Sequence, residues 1–208
     1  MNKKSAVVII PTTGADTVKD AIESVLNQTY PTKALVVVDG NQFQNKSIDI
    51  LYPFFKLDNV EIVYLQTNVG ANGFYGHRIY AAFSHLVNED YILFLDQDNW
   101  IEPNHVESLV TAIETNNSQW SYTLRNIMEP DGTFVCRDDC ESLGKWPMWK
   151  GDYAHIDTSC YCLPRQIAVA ISSAWHGSWG QDRIVYQTLR SHFNNYSCNF
   201  TYIISIYF

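Results

Sequence analysis

Two aspartates separated by one residue are the clearest chemical feature of this sequence. Asp96 and Asp98 follow residues 91–95, a run of five apolar side chains that is typical of a strand buried on both faces. Side chains two residues apart on a strand share one side, so both carboxylates can face one ligand. Mg²⁺ or Mn²⁺ bound together with phosphate oxygens would suit such a pair. The same residues also fit a polar turn that leaves the strand ahead of a helix opening at Pro103.

The elements that must position this pair alternate between strand and helix. Continuous apolar runs predict strands, and apolar residues at helical spacing predict amphipathic helices. Strand–helix–strand units imply a parallel sheet, and ligands bind at the carboxyl ends of its strands. The predicted strands are 6–10, 34–38, 60–65 and 91–95, and the predicted helices are 17–26, 47–55, 78–86 and 103 to about 114.

Polar residues follow the first two strands at the same predicted edge. Pro11, Thr12 and Thr13 come directly after the first strand, and Asp39 comes after the second. Asp39 also fits a simple turn position before Gly40.

The second half of the chain has a different pattern, with more strands and fewer helices. We expect one domain over 1–208, with a nucleotide-binding half up to about residue 116 and a second half over about 117–208. The apolar end of the chain is what one module of a longer protein would show. The predicted strands are 120–127, 133–137, 155–162 and a tail from 196, and the predicted helices are 166–174 and one that follows a loop at 177–183 and runs to 192.

Composition excludes several classes of protein. The chain has 208 residues, 14 basic and 22 acidic side chains and a net charge of -8, and without a Lys/Arg cluster nucleic acid is not an expected partner. The sequence contains no apolar stretch long enough for an integral membrane segment. The N-terminal apolar run of five residues is too short for an export signal, which favours a cytoplasmic protein with reduced cysteines. Zinc binding by Cys136, Cys140, Cys160 and Cys162 is less favoured than buried thiols, because zinc sites usually use Cys-x-x-Cys pairs.

The motifs together resemble family 2 glycosyltransferases with the GT-A fold, an α/β fold with a mainly parallel central sheet flanked by helices. The resemblance covers about residues 7–189 and depends on five short segments in the family's order. These segments are Val8-Ile9-Ile10-Pro11-Thr12, Val37-Val38-Asp39-Gly40, Asn68-Val69-Gly70, Phe94-Leu95-Asp96-Gln97-Asp98 and Trp179-Gly180-Gln181-Asp182-Arg183.

The resemblance implies a role for each candidate donor residue. Asp96 would contact the ribose, and Asp98 would bind the metal of the Asp-x-Asp motif, Mn²⁺ or Mg²⁺. Arg78 would also take part in donor binding. The family usually has Arg-Asn before a Gly-Ile pair, whereas here Arg78 directly precedes Ile79. The alternative is an arginine that is solvated or caps a helix. The residues expected around the nucleotide are Pro11, Thr12, Thr13, Asp39 and Asn68.

The resemblance implies that Asp182 is the catalytic base. The family has a Glu-Asp pair at a helix start where this chain has Gln181-Asp182, and one carboxylate suffices to accept a proton. The alternative is an aspartate that only stabilises the helix N-terminus. Four tryptophans are candidates for stacking on sugars, although core packing is the more common use of Trp. They are Trp146, Trp149, Trp175 and Trp179.

The implied activity is inverting transfer of a sugar, with a UDP-sugar as the expected donor. The acceptor would be a glycan, a glycoprotein or a lipid-linked glycan. Two alternatives stay open. A nucleotidyltransferase would usually carry a basic phosphate loop after the first strand, and residues 11–14 contain no basic residue. A non-catalytic nucleotide-sugar-binding module would bind UDP without turnover.

Overall fold

Four parallel strands form the first part of the central sheet. The computed structural model describes residues 4–138 and 156–206. In it, β1 pairs in parallel with β2 and β4, and β2 pairs in parallel with β3. All four are built from apolar runs, and β1 and β4 are buried almost throughout. These strands are β1 (Ala6–Thr12), β2 (Thr32–Val38), β3 (Val60–Tyr64) and β4 (Tyr91–Phe94).

Helices connect these strands and bury one face each. In α1, the buried residues Val18, Ala21, Ile22 and Val25 recur at the three- and four-residue spacing of one helix face. The four helices of this part are α1 (Val18–Leu26), α2 (Gln44–Leu51), α3 (His77–Phe83) and α4 (His105–Thr115).

The sheet continues with strands of mixed direction. β8 is antiparallel to both β4 and β6, and β6 is parallel to β9. β5 pairs antiparallel with β9, and β7 pairs antiparallel with β6. Over the residues that the structure describes, the sheet therefore has nine strands, in the order β3-β2-β1-β4-β8-β6-β9-β5, with β7 beside β6. The elements of this part are β5 (Asn99–Ile101), β6 (Trp120–Met128), β7 (Phe134–Asp138), β8 (Tyr161–Pro164), α5 (Arg165–Ala170), α6 (Gln181–His192) and β9 (Asn195–Ile206).

The predicted α/β class, with a central sheet flanked by helices, is confirmed. The parallel pairings of this sheet are those among the first four strands and the one between β6 and β9. Two local predictions were wrong, and one strand was missed. The strand expected from residue 155 begins only at Tyr161, because the Asp157 side chain accepts a hydrogen bond from the Ser159 amide at 3.0 Å and starts a short 3-10 helix, Thr158–Cys160. The helix expected over 166–174 ends at Ala170 and is followed by a 3-10 helix, Ser172–Trp175. β5 was not predicted.

An aromatic cluster joins the two parts of the sheet. Trp175 is fully buried, and its ring centroid lies 5.0 Å from that of Phe94, 5.4 Å from that of Tyr80 and 6.3 Å from that of Tyr161. Trp175 is therefore a core residue and cannot stack on a substrate sugar, which corrects its place among the sugar-stacking candidates.

Three of the four cysteines considered for zinc, and two of the four candidate tryptophans, lie within the described residues. Cys140, Trp146 and Trp149 lie outside the described residues, so the four-cysteine set is not described as a whole. Cys160 and Cys162 are buried, and Cys136 is exposed. Within residues 4–138 and 156–206, no helix has the length and apolar character needed to cross a membrane.

Candidate functional site

A cavity of about 570 Å³ opens beside the carboxyl ends of β1, β2 and β4. Its walls come from the loops that follow these strands and from the start of α6. Eight of the nine residues predicted for the site line this cavity; Arg78 does not. The eight are Pro11, Thr12, Thr13, Asp39, Asn68, Asp96, Asp98 and Asp182.

Asp39 fixes the loop that carries Asn68. Its carboxylate is buried, with one oxygen accepting from the Val69 amide at 2.7 Å and the other from the Gly70 amide at 2.9 Å. A Cβ at Gly70 would stand 2.6 Å from Asp39 Oδ2, so only glycine allows this close approach. Asp39 is thus more than a turn residue before Gly40.

Gln97, the middle residue of the Asp-x-Asp motif, binds the loop after β1. Its Oε1 accepts from Thr12 Oγ1 at 2.7 Å and from the Thr13 amide at 3.1 Å. The Thr12 hydroxyl also accepts from the Gly14 amide at 2.9 Å. No role was predicted for Gln97, because a motif with a variable middle position carries no signal for a contact between residues 12 and 97.

Asp96 is held in a buried, acidic environment. Tyr80 donates to Asp96 Oδ1 at 2.8 Å, and the Asp96 amide donates to Ser159 Oγ at 3.2 Å. Burial raises the pKa of Asp96 to about 7, and the charges of Asp157 and Asp98 add to the rise, while Tyr80 and Arg125 oppose it. Two carboxylates that share one site disfavour each other's ionised form.

Asp98 and Asp157 complete this acidic group. Burial raises the pKa of Asp98, a backbone hydrogen bond lowers it and the Asp157 charge raises it further. Asp157 pairs with Arg125 at 2.6 Å, and both side chains are largely buried. The structure thus places the Asp157 charge close enough to Asp96 to raise its pKa, and it gives Asp157 a partner in Arg125, from β6.

The chemistry of these residues fits a divalent cation. Asp98, which the motif assigns to the metal, would hold it, because hard cations take carboxylate oxygens and a positive charge would stabilise the ionised form of a carboxylate whose pKa burial raises. Over the described part of the chain, no group of three or more His, Cys, Asp or Glu side chains could hold a metal ion by itself. The remaining ligands would therefore be substrate oxygens and water, as is common for Mg²⁺.

The opposite wall of the cavity comes from the segment that opens α6. Gly180 precedes the helix with φ +82, a conformation that favours glycine. Asp182 lies in the first turn and accepts from the Arg183 amide at 2.9 Å. Trp179 lines the cavity with 66% of its surface exposed, and the Arg183 guanidinium lies 4.9 Å from its ring centroid.

Arg78 and His77 occupy different places at the start of α3. The Arg78 guanidinium lies 3.3 Å from the Phe74 ring centroid and donates to the Val69 carbonyl at 3.3 Å, so it supports the 69–74 loop from outside the cavity. His77 lines the cavity, and its Nδ1 lies 3.1 Å from the Gly177 carbonyl oxygen. Burial lowers the pKa of His77, which keeps its imidazole neutral near pH 7.

Residues 7–137 match the family model described as "Glycosyl transferase family 2". This match covers more than half of the chain, and the chain belongs to that family. The family predicted from the five motifs is therefore confirmed.

Two relatives from Bacillus subtilis (strain 168) carry glycosyltransferase names. TuaG, named for teichuronic acid biosynthesis, is 29% identical over 128 residues, which are 61% of this chain and 48% of TuaG. EpsH is 32% identical over 94 residues, which are 45% of this chain and 25% of EpsH. The matches thus span about half of the first relative and a quarter of the second.

Solved structures of S. aureus TarS share the fold. The crystal structure of TarS 1-349 has a TM-score of 0.73 at 13% identity, covering 97% of this chain and 60% of that chain. The structure of TarS 1-349 in complex with UDP-GlcNAc also has a TM-score of 0.73 at 13% identity, covering 99% and 59%. The GT-A fold is therefore confirmed for this chain.

Proposed function

We propose that this protein is an inverting glycosyltransferase that moves a sugar from a UDP-sugar to an acceptor hydroxyl. The observation that carries the proposal is the cavity itself. It brings Asp39, Asp96 and Asp98, which we call the donor side, opposite the segment from Trp179 to Arg183, which we call the acceptor side.

The donor side suits a nucleoside diphosphate. The lone pairs that Asp39 does not use for the Val69 and Gly70 amides can accept from the uracil N–H or from ribose hydroxyls. The TarS structures with UDP-GlcNAc and with UDP support a uridine donor for this fold. The donor sugar would project from the diphosphate towards Asp182 on the acceptor side.

Asp98 would hold Mn²⁺ or Mg²⁺ together with the diphosphate, and Asp96 beside it would contact the ribose. When bound, the cation neutralises the negative charge that develops on the leaving diphosphate. Burial raises the pKa values of Asp96 and Asp98, and a bound cation would favour the ionised forms that the site needs.

Asp182 would act as the general base. Its carboxylate accepts the proton of the acceptor hydroxyl while that oxygen forms a bond to the anomeric carbon. The bond from the anomeric carbon to the phosphate oxygen breaks at the same time, and UDP leaves with that electron pair. Attack from the face opposite the leaving group inverts the anomeric configuration.

The acceptor side suits a carbohydrate. Trp179 presents an exposed indole to the cavity three residues before Asp182, and aromatic faces pack against the apolar faces of sugar rings. An acceptor that is a glycan, a glycoprotein or a lipid-linked glycan would therefore place its hydroxyl near the base. The name of TuaG, which refers to a glycosyltransferase of teichuronic acid biosynthesis, supports sugar transfer as the activity.

Ligand-dependent thermal melting, combined with a transfer assay, tests this function. UDP with Mn²⁺ should raise the melting temperature by about 5–10 °C at a hundredfold excess over its Kd, and GDP and ADP should raise it less. A panel of UDP-sugars and oligosaccharide acceptors should then release UDP only when both substrates are present. Stronger stabilisation by GDP would contradict the uridine donor. UDP binding without transfer to any acceptor would favour a binding module, and nucleotide-sugar synthesis from a nucleoside triphosphate and a sugar phosphate would favour a nucleotidyltransferase.

A further inference from the structure

We propose that Gln97 is a positioning residue for the nucleoside, which prepares the binding loop before the donor arrives. This inference rests on the proposed function, because it assumes that the cavity binds UDP. It concerns a side chain to which neither the motif nor the comparisons assign a role.

The geometry shows a side chain that ties two loops together. Gln97 lies in the segment that follows β4. Its Oε1 accepts two hydrogen bonds from the loop after β1, one from the Thr12 hydroxyl and one from the Thr13 amide. Its Nε2 lies 3.4 Å from the Thr13 hydroxyl. The amide group therefore spans the space between two neighbouring strand ends.

The Thr12 hydroxyl donates one hydrogen bond and accepts another in this arrangement. It donates to Gln97 and accepts from the amide of Gly14, whose φ is +73, and Thr12 itself is only 2% exposed. Because its only proton is donated to Gln97, this hydroxyl cannot also donate to a base. Thr12 thus serves the nucleotide by shaping the loop, while the loop surface that faces the cavity remains for the ligand.

Preorganisation explains why such a tie would matter for binding. A loop that is already fixed loses less conformational entropy when a ligand binds, so the ligand binds more tightly without any new contact. Because Gln97 stands between Asp96 and Asp98 in the chain, the same amide also links the nucleoside loop to the two carboxylates. Nucleoside binding and carboxylate position then depend on one side chain.

The main test compares Gln97→Met with Gln97→Glu. Methionine is similar in size and loses both accepted hydrogen bonds, so the affinity for uridine, measured by NMR titration, should fall about tenfold. Glutamate keeps an acceptor for both donors, and because uridine is uncharged its affinity should stay within about twofold of wild type. With UDP in EDTA, however, Gln97→Glu should bind more weakly than wild type, because it adds a negative charge near the diphosphate.

Gln28 provides a matched control for the loss of a bridging amide. Its Nε2 donates to the carbonyls of Ser24 and Glu102, its Oε1 accepts from the Val106 amide, and it does not line the cavity. Gln28→Met should lower the melting temperature and leave the uridine affinity unchanged. Wild-type uridine affinity in Gln97→Met, or an equal loss in both methionine variants, would overturn the positioning role.

Thr12→Val is a second variant that tests whether Gln97 acts through the Thr12 hydroxyl. Valine has the shape of threonine without the hydroxyl, so it should weaken uridine binding several-fold, and Gln97→Met should add little to that loss in the double variant. In turnover assays both variants should raise KM for the donor with little change in kcat. Fully additive losses would contradict the inference. If the wild-type protein bound no UDP at all, the proposed donor would fail instead, which is a different result.

Discussion

The donor and acceptor sides of the cavity differ in the exposure of the side chains that we assign to them. On the donor side, Asp39, Asp96 and Gln97 each form hydrogen bonds to residues distant in sequence, and Asp39 is buried. On the acceptor side, Asp182 lies in the first turn of α6 and Trp179 is two-thirds exposed. The proposed donor side is thus fixed by long-range hydrogen bonds, whereas the proposed acceptor side presents an exposed aromatic surface.

The largest effect that this comparison predicts is on Asp182. Asp182→Asn removes the proton acceptor but keeps a similar shape, so turnover should fall by about 10²–10⁴-fold while the affinity for UDP stays the same. Transfer kinetics and calorimetry with UDP measure the two quantities separately.

The control for this change is Asp20→Asn. Asp20 also lies in the first turn of a helix, α1, and does not line the cavity, so its substitution tests the general effect of removing a charge at a helix start. Activity should be unchanged in Asp20→Asn. A fully active Asp182→Asn enzyme would move the base elsewhere, and Asp157 would be the next residue to test.

The second prediction concerns the metal and separates two carboxylates on the donor side. Mn²⁺ should tighten UDP binding to the wild type by on the order of tenfold or more, and this gain should vanish in Asp98→Ala. Asp96→Ala should weaken UDP binding with and without Mn²⁺, because Asp96 is assigned to the ribose. Calorimetry in Mn²⁺ and in EDTA distinguishes the two patterns. Equal wild-type affinity and activity in EDTA would contradict the metal assignment.

The smallest predicted effect is a pH dependence of stability that originates on the donor side. The pKa of Asp96 is raised from 3.8 to about 7, so between these values the folded protein holds a proton that the unfolded chain has released. By linkage, Asp96 then destabilises the fold increasingly as pH rises from about 4 to 7. Asp96→Asn should therefore gain melting temperature relative to the wild type across this interval, by a few degrees, and the gain should level off above it.

Comparing the two proteins at each pH removes the contribution of other groups. Burial lowers the pKa of His105 to about 3, and this group has the opposite effect, stabilising the fold as pH rises between that value and 6.5. The contribution of His105 to stability is the same in Asp96→Asn and in the wild type, so it drops out of the difference between their melting temperatures. A difference that stays constant from pH 4 to 8 would contradict the raised pKa of Asp96.

Long apolar runs made most of the donor side predictable. The strands β1, β2 and β4 were found because each is a continuous apolar stretch that ends in polar residues, and their parallel pairing then brings Thr12, Asp39 and Asp96 to one edge. β5 was missed because three residues directly after a turn are too short to show a period. Its pairing with β9, about a hundred residues later in the chain, decides its structure.

The contacts that hold the site were not predictable in the same way. Gln97 with Thr12, Tyr80 with Asp96 and Arg125 with Asp157 are pairs of single side chains separated by 85, 16 and 32 residues. Periodicity describes which face a residue occupies and says nothing about its partner. Arg78 shows the same limit, since its neighbour in sequence, His77, lines the cavity while its own guanidinium packs on Phe74.

The position of β8 has a consequence for motion. β8 is hydrogen-bonded to β4 on one side and to β6 on the other, and Cys162 takes part in both pairings, opposite Leu93 and Ser121. Over the described residues, the strands that carry the donor side and those of the second half thus belong to one unbroken sheet, so a rigid-body rotation of one part against the other would have to break strand hydrogen bonds. Among the described parts of the chain, we expect closure around bound substrates in the loops that border the cavity, within the 68–76 and 179–180 segments.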